Sequence, residues 1–189
     1  SGLVSLMGGK HTIYRKMGED LIFHLVEKGA IPESKFTKEQ LKDGYSRKPF
    51  LVGLEREDFD REYSRGKNEG IYPELDDLLL EHLHRQYGKQ SFEILELINN
   101  DPKKGERILE ENEFTYGEVE WICKNEFAPT LMDVVLRRTE MWIFVHHSKA
   151  KELSEKVAGV MKSLYNWDEE RTKKEIQSYV DYVDHWVWF

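Results

Sequence analysis

Gly8-Gly9-Lys10, with Thr12 close behind, combines residue types that suit ligand chemistry. Paired glycines let the backbone bend sharply and let a ligand approach the main chain. A helix opening after them would present unpaired N–H groups and a partial positive charge, which suits an anion or a developing negative charge. Lys10 adds a full positive charge at the same place, and Thr12 could cap the helix or donate to a ligand oxygen. Taken alone, a glycine turn before a helix with an exposed lysine is the commoner meaning of such a string. A Walker-type phosphate loop does not fit: its first glycine would fall on Val4, and His11 stands where Ser or Thr is required. There is no GxGxxG fingerprint here. The local chemistry supports a modest anion site.

Other reactive side chains read more plainly. His82 and His84, and the pair His146-His147, point in different directions on a helix and have no HExxH or cysteine spacing beside them, so no metal site is expected. Cys123 falls on an apolar helix face and reads as a small core residue rather than a nucleophile. Glu126, Arg137 and Arg138 read as a helix-to-helix ion pair or a seam against another domain, without chemistry of their own. Trp186-Val187-Trp188-Phe189 reads as a terminal helix packing its aromatic face.

The elements that must position these residues are mostly helices. Leu3 to Met7 reads as a short apolar strand entering the glycine turn, and a strand without partners suggests neighbours outside this sequence. Ile13, Met17, Leu21, Leu25 and Val26 recur at helical spacing, with Gly29 as the stop. Thr37 and Gln40 form a capping box for a short helix. Pro49-Phe50-Leu51-Val52-Gly53 interrupts, and Glu57 to Arg65 is a further helix. Pro73 suits a first helical position before Leu75, Leu78, Leu79, Leu83 and Tyr87, and Gly88 ends that helix. Phe92, Leu95 and Ile98 mark the next, stopped before Pro102.

Thr115 and Glu118 make a second capping box, with Val119, Ile122, Cys123 and Phe127 as core candidates. Thr130 caps Leu131 to Arg138, with Asp133 and Arg137-Arg138 at the ends that the helix dipole favours. Ser148 opens a helix carrying Leu153, Val157, Val160, Met161 and Leu164. Asp168-Glu169-Glu170 opens the last, with Ile176, Val180, Val183 and Val187. The fold class is mainly α: a helical bundle-like domain over 30–189, preceded by a strand-turn-helix remnant of an α/β domain over 1–29.

Composition narrows the function classes. The 36 acidic against 28 basic residues, net −8, speak against a general nucleic-acid binder, which needs a basic face. A single cysteine forbids an intrachain disulfide and suits a reducing compartment. No run approaches the ~18 apolar residues of a membrane span, and no basic region precedes an apolar stretch as in a secretory signal. Abundant Lys and Glu with few Cys and Met hint at a heat-adapted source.

The string Gly8-Gly9-Lys10-His11-Thr12-Ile13-Tyr14-Arg15-Lys16-Met17-Gly18 resembles a signature of FAD-dependent glycerol-3-phosphate dehydrogenases. Ile13 stands where the family usually has Thr, and Gly18 where it has Ala. Far downstream, Tyr116, Glu118-Val119, Glu126, Ala128, Thr130, Asp133 and Arg137-Arg138-Thr139 resemble the signature run of that family's helical C-terminal domain. Arg85, Tyr87 and Gly88 match its Arg-Tyr-Gly segment with Gln86 inserted. Tyr165-Asn166-Trp167-Asp168 fits the end of longer members. The resemblance covers the chain almost end to end.

It implies an enzyme that oxidises sn-glycerol 3-phosphate to dihydroxyacetone phosphate, passing hydride to FAD and then electrons to a quinone or oxygen. Gly8, Gly9 and Thr12 would lie by the pyrimidine end of FAD, and Lys10 would bind the substrate's oxygens or phosphate. The rest of the site would come from a flavin-binding domain that this chain lacks, so no catalytic residue is assigned here and the chain alone is expected to be inactive. A contrasting reading is a stand-alone helical interaction or assembly subunit that docks on a separate flavoprotein. The resemblance further implies a cytoplasmic enzyme, peripheral on the inner face of the cell membrane when intact, and is compatible with a homo-oligomer.

Overall fold

The computed structural model describes residues 3–8, 10–42, 44–47 and 53–186. The chain forms two compact units, Ser1–Gly53 and Leu54–Phe189. Their boundary falls downstream of the Gly29/Ala30 division drawn from the sequence.

In the first unit, Leu3 to Gly8 carries no regular structure, so the expected strand over 3–7 is not formed. An extended segment without a neighbouring strand has nothing to satisfy its N–H and C=O groups except solvent. His11–Ile13 form a 3-10 turn that runs into α1, Tyr14–Glu27. Gly29, at φ +69, ends the helix as expected, and the amides of Ala30 and Ile31 return to the Leu25 carbonyl. Thr37 and Gln40 do exchange the reciprocal bonds of a capping box, but they close a turn, and among the described residues of this unit only the 3-10 turn Tyr45–Arg47 follows. The Pro49–Val52 interruption lies outside the described residues.

The second unit carries seven α-helices among the described residues. α2 spans Arg56–Asn68, α3 Asp77–Tyr87, α4 Ser91–Asn100 and α5 Tyr116–Asn125. α6 is the short Met141–Phe144, followed by α7, Ala150–Tyr165, and α8, Glu169–Trp186. α3 starts later than Pro73 suggests. Asp76 caps it by accepting from the Leu79 amide, while the Pro73 carbonyl accepts the Tyr63 hydroxyl in an irregular stretch. Gly88 ends α3, and α4 stops before Pro102, both as the sequence suggests.

The core gathers Leu83, Ile94, Leu95, Ile122, Leu153 and Met161 from α3, α4, α5 and α7, all fully buried. α8 packs along α7 after a three-residue link, Asn166 to Asp168. A second cluster stacks Phe59, Tyr63, Tyr72 and Phe92. Its packing is tight at Gly66, where an added Cβ would come within 2.2 Å of the Tyr72 ring.

Two core expectations fail for one reason each. Leu78 sits in the first turn of α3 and is 73% exposed, because the buried face of that helix runs through Leu79, Leu80 and Leu83. Phe127 is 83% exposed: α5 ends at Asn125, and the backbone at Phe127 turns to φ +38, so the helical phase that would have buried it is lost. Among the described residues no helix is long and apolar enough to cross a membrane. Trp186 is largely exposed beside Tyr182, and Val187 to Phe189 lie outside the described residues.

Candidate functional site

The glycine turn brings Gly8, Lys10 and Thr12 together ahead of α1, while Gly9 lies outside the described residues. A Cβ at Gly8 would come within 2.1 Å of the Met17 methyl group, so the missing side chain makes room for this chain's own helix. Lys10 is exposed in extended backbone and makes no ion pair among the described residues. Thr12 does not cap. The 3-10 turn begins after Lys10 and α1 after Ile13, neither with a side-chain cap bond, and among the described residues the Thr12 hydroxyl makes no hydrogen bond. Exposed first-turn amides, a cation and a free hydroxyl fit one edge of an anionic cofactor or substrate. Ile13, half exposed, presents an apolar surface there.

Nothing in the residue pattern marks what fixes this turn's helix. Glu19, the one buried side chain among the described residues of this unit, accepts from the Ser46 hydroxyl at 2.6 Å, the Ser46 amide at 2.9 Å and the Gly44 amide at 3.3 Å. Arg15 donates to the Ser46 hydroxyl and stands 3.7 Å from the carboxylate. The Ser46 hydroxyl above all, then its amide, lower the Glu19 carboxyl to about 2 against opposing burial. Three donors on one carboxylate tie residues 44–46 back to α1.

The downstream motif is built differently. Thr115 and Glu118 form the expected capping box at the start of α5. Glu118 is fully buried: one oxygen accepts from the Thr115 amide and hydroxyl, and the other meets His82 Nε2 at 2.7 Å. His82 Nδ1 lies 3.2 Å from Glu113. Burial pushes the His82 imidazole down, but the two carboxylates more than offset it and the net shift is upward. His82 and Glu118 thus bond each other inside the protein across α3 and α5, and the pairing favours the protonated imidazole. The capping box was legible as a local pattern; its partner 36 residues upstream was not.

Thr130 caps as expected, accepting from the Asp133 amide, and the Asp133 carboxylate accepts from the Thr130 amide in return. The helix they open is not α-helical throughout: Asp133–Arg138 is a π-helix, closed where the Thr139 amide and hydroxyl both donate to the Val134 carbonyl. Such wide turns recur at functional sites. Arg137 pairs with Asp133 at 2.7 Å. Arg138 donates to the Glu126 and Phe127 carbonyls and faces the Glu126 carboxylate at 3.7 Å, which ties the end of α5 to the π-helix.

Arg85 and Gln86, from the end of α3, meet Arg137, Arg138 and Thr139 in the lining of one cavity of about 620 Å³. Two sequence motifs half a domain apart therefore share a concave surface. Tyr87, beside them, is buried against Trp121, and burial raises its hydroxyl far above its ordinary range.

Two further histidines bond the backbone. His84 Nε2 donates to the Leu54 carbonyl at 2.7 Å, and His146 Nδ1 accepts from the Ser148 amide. Cys123 is buried.

Residues 5–172 match the model of the C-terminal domain of alpha-glycerophosphate oxidase. A probable mitochondrial glycerol-3-phosphate dehydrogenase of Dictyostelium discoideum is 29% identical over 97% of this chain and 27% of its own length. A glycerol-3-phosphate dehydrogenase of Synechocystis is 27% identical over 97% of this chain and 31% of its own length. The mitochondrial enzyme of Mus musculus is 28% identical over 94% of this chain and 23% of its own length. The chain thus spans about a quarter to a third of the curated relatives it matches. No solved structure matches it.

Proposed function

The chain belongs to the family described as the C-terminal domain of alpha-glycerophosphate oxidase, and from that premise we propose that it is the helical C-terminal part of an FAD-dependent glycerol-3-phosphate dehydrogenase. The observation that carries this reading is the span of the likeness. Relatives named glycerol-3-phosphate dehydrogenase match nearly the whole chain, and the chain fills less than a third of them. The intact enzyme would oxidise sn-glycerol 3-phosphate to dihydroxyacetone phosphate.

FAD, when bound, supplies the hydride acceptor. This chain's share lies in the turn before α1. Gly8, Gly9 and Thr12 would line the pyrimidine edge, and the opening of the helical run that begins at His11 would favour negative charge there. Lys10 would bind the substrate's oxygens or phosphate as a point charge. Lys10 and Thr12 are both exposed in that turn, which supports a site completed by the flavin-binding part.

The test compares this chain alone with the same chain joined to its flavin-binding part. The joined protein should carry a flavin absorbance band and reduce a dye with sn-glycerol 3-phosphate, while the chain alone does neither. Lys10→Ala in the joined protein should raise KM for that substrate by about tenfold or more, the weight of a charge-assisted bond. A yellow, active 189-residue chain would overturn the division of labour; an unchanged KM would remove Lys10 from the site.

A further inference from the structure

The cavity between the end of α3, the 111–114 loop and the π-helix is not explained by the flavin site. Its charged groups can be accounted for one by one. Glu111 is committed to Lys149, and one oxygen of Glu113 to His82. Arg138 is spent on the carbonyls of Glu126 and Phe127, and Arg137 uses one amino group on Asp133. Among the described residues, what remains uncommitted is the whole guanidinium of Arg85, the rest of the Arg137 fork, the second oxygen of Glu113, the Glu140 carboxylate and the Gln86 side-chain amide. Among the described residues the side chains of Arg85 and Glu140 make no ion pair or hydrogen bond, and the Glu140 carbonyl accepts only from the Ile143 amide.

We propose that this cavity binds a small oxyanion that also carries hydroxyl or ammonium donors, the chemistry shared by a polyol phosphate and an amino acid. A planar, uncommitted guanidinium in a concave site offers paired N–H donors that match a carboxylate or phosphate. The free glutamate oxygens disfavour a bare dianion, because an unpaired like charge disfavours its approach. The same oxygens accept from a ligand's hydroxyl or ammonium groups. A volume of about 620 Å³ suits a small molecule.

The register of the lining depends on the π-helix. Thr139 spends both its amide and its hydroxyl on Val134, which fixes the wide turn that carries Arg137 and Arg138 to the cavity and leaves Glu140 in the left-handed region at φ +53. A costly backbone conformation held this firmly beside unpaired charges is a pattern found at binding sites.

Isothermal titration of the 189-residue chain with inorganic phosphate, sn-glycerol 3-phosphate and L-serine tests the proposal. At least one of the two donor-bearing ligands should bind about tenfold tighter than inorganic phosphate, and the comparison between them tells which source of the anion the site takes. Arg85→Ala, which removes an exposed side chain without partners, should weaken that ligand by about tenfold or more. Glu140→Gln should weaken it while leaving inorganic phosphate unaffected. The proposal is overturned by any of four results. These are no saturable binding by about 10 mM, equal affinity for inorganic phosphate, Arg85→Ala behaving as wild type, or binding lost in Lys10→Ala and kept in Arg85→Ala. The last would put the anion at the α1 turn instead.

Discussion

Residues 8–19 and residues 115–139 each carry a family motif, yet they are held in place by different forces. In the first segment α1 buries no apolar side chain completely, and Glu19 is its one buried residue. Leu3, Leu6 and Met7 stand exposed ahead of it. The downstream segment runs through the core, with Val119, Ile122, Leu131, Val134 and Val135 all fully buried. Each such side chain contributes roughly 1.5–3 kcal/mol when buried, so that segment is anchored by packing and its polar network adds geometry. The α1 segment has no comparable apolar term, and its hydrogen bonds to one carboxylate must supply the order. The polar lock is therefore an addition in one region and the main tie in the other.

The largest effect is expected at Glu118. Glu118→Ala leaves His82 buried without its partner and strips the cap of α5, and breaking a buried pair costs ~3–5 kcal/mol. Urea denaturation should report a loss of that size, with Glu118→Gln recovering part of it by keeping the acceptor for Thr115. A loss below ~1 kcal/mol would mean that the network contributes no more than an ordinary surface bond.

A smaller effect comes from pH. The folded value of His82 is raised above the ordinary 6.5. The stability it adds is complete below that ordinary value and fades as pH rises through the raised one. Denaturation midpoints of the wild type should fall from mildly acidic to mildly alkaline pH, and His82→Gln should flatten the slope. An equal slope in the two proteins would assign the pH dependence elsewhere.

The smallest effect belongs to the first unit and runs in the opposite direction. The Glu19 carboxyl is lowered from 4.5 to about 2, so its contribution is present above 4.5 and is lost as pH falls toward 2. Amide resonances of Gly44 and Ser46 should shift with that titration, and Ser46→Ala should move its midpoint up. Resonances that stay fixed across the range would show that Glu19 is not what ties 44–46 to α1.

What the sequence revealed follows the range of the interaction. Gly29, Gly88 and the Thr115–Glu118 box declare themselves within four residues, because caps and stops are local chemistry. The Thr37–Gln40 box was equally visible but opened only a turn, since no apolar stripe follows to pack a helix there. Periodicity located the helices of the core and misplaced Phe127, because a left-handed residue breaks the phase that periodicity assumes. The π-helix left no trace in the pattern, as its widening is settled by the Thr139 bonds to Val134 rather than by residue types. In the candidate sites, Lys10 and Thr12 were legible from the glycine turn. The meeting of Arg85 with Arg137 and Arg138 was not, because it depends on how α3 packs against α5 and the residues after it.

Cys123 gives this architecture a built-in clock. It is the sole thiol of the chain, it sits on the buried face of α5, and burial pushes it up to about 11. Reagents that attack thiolates find almost none at neutral pH, and burial leaves them little access to the sulfur while the core is closed. The rate at which such a reagent marks the protein therefore counts how often the α5 region opens, at a single site and without any engineered label.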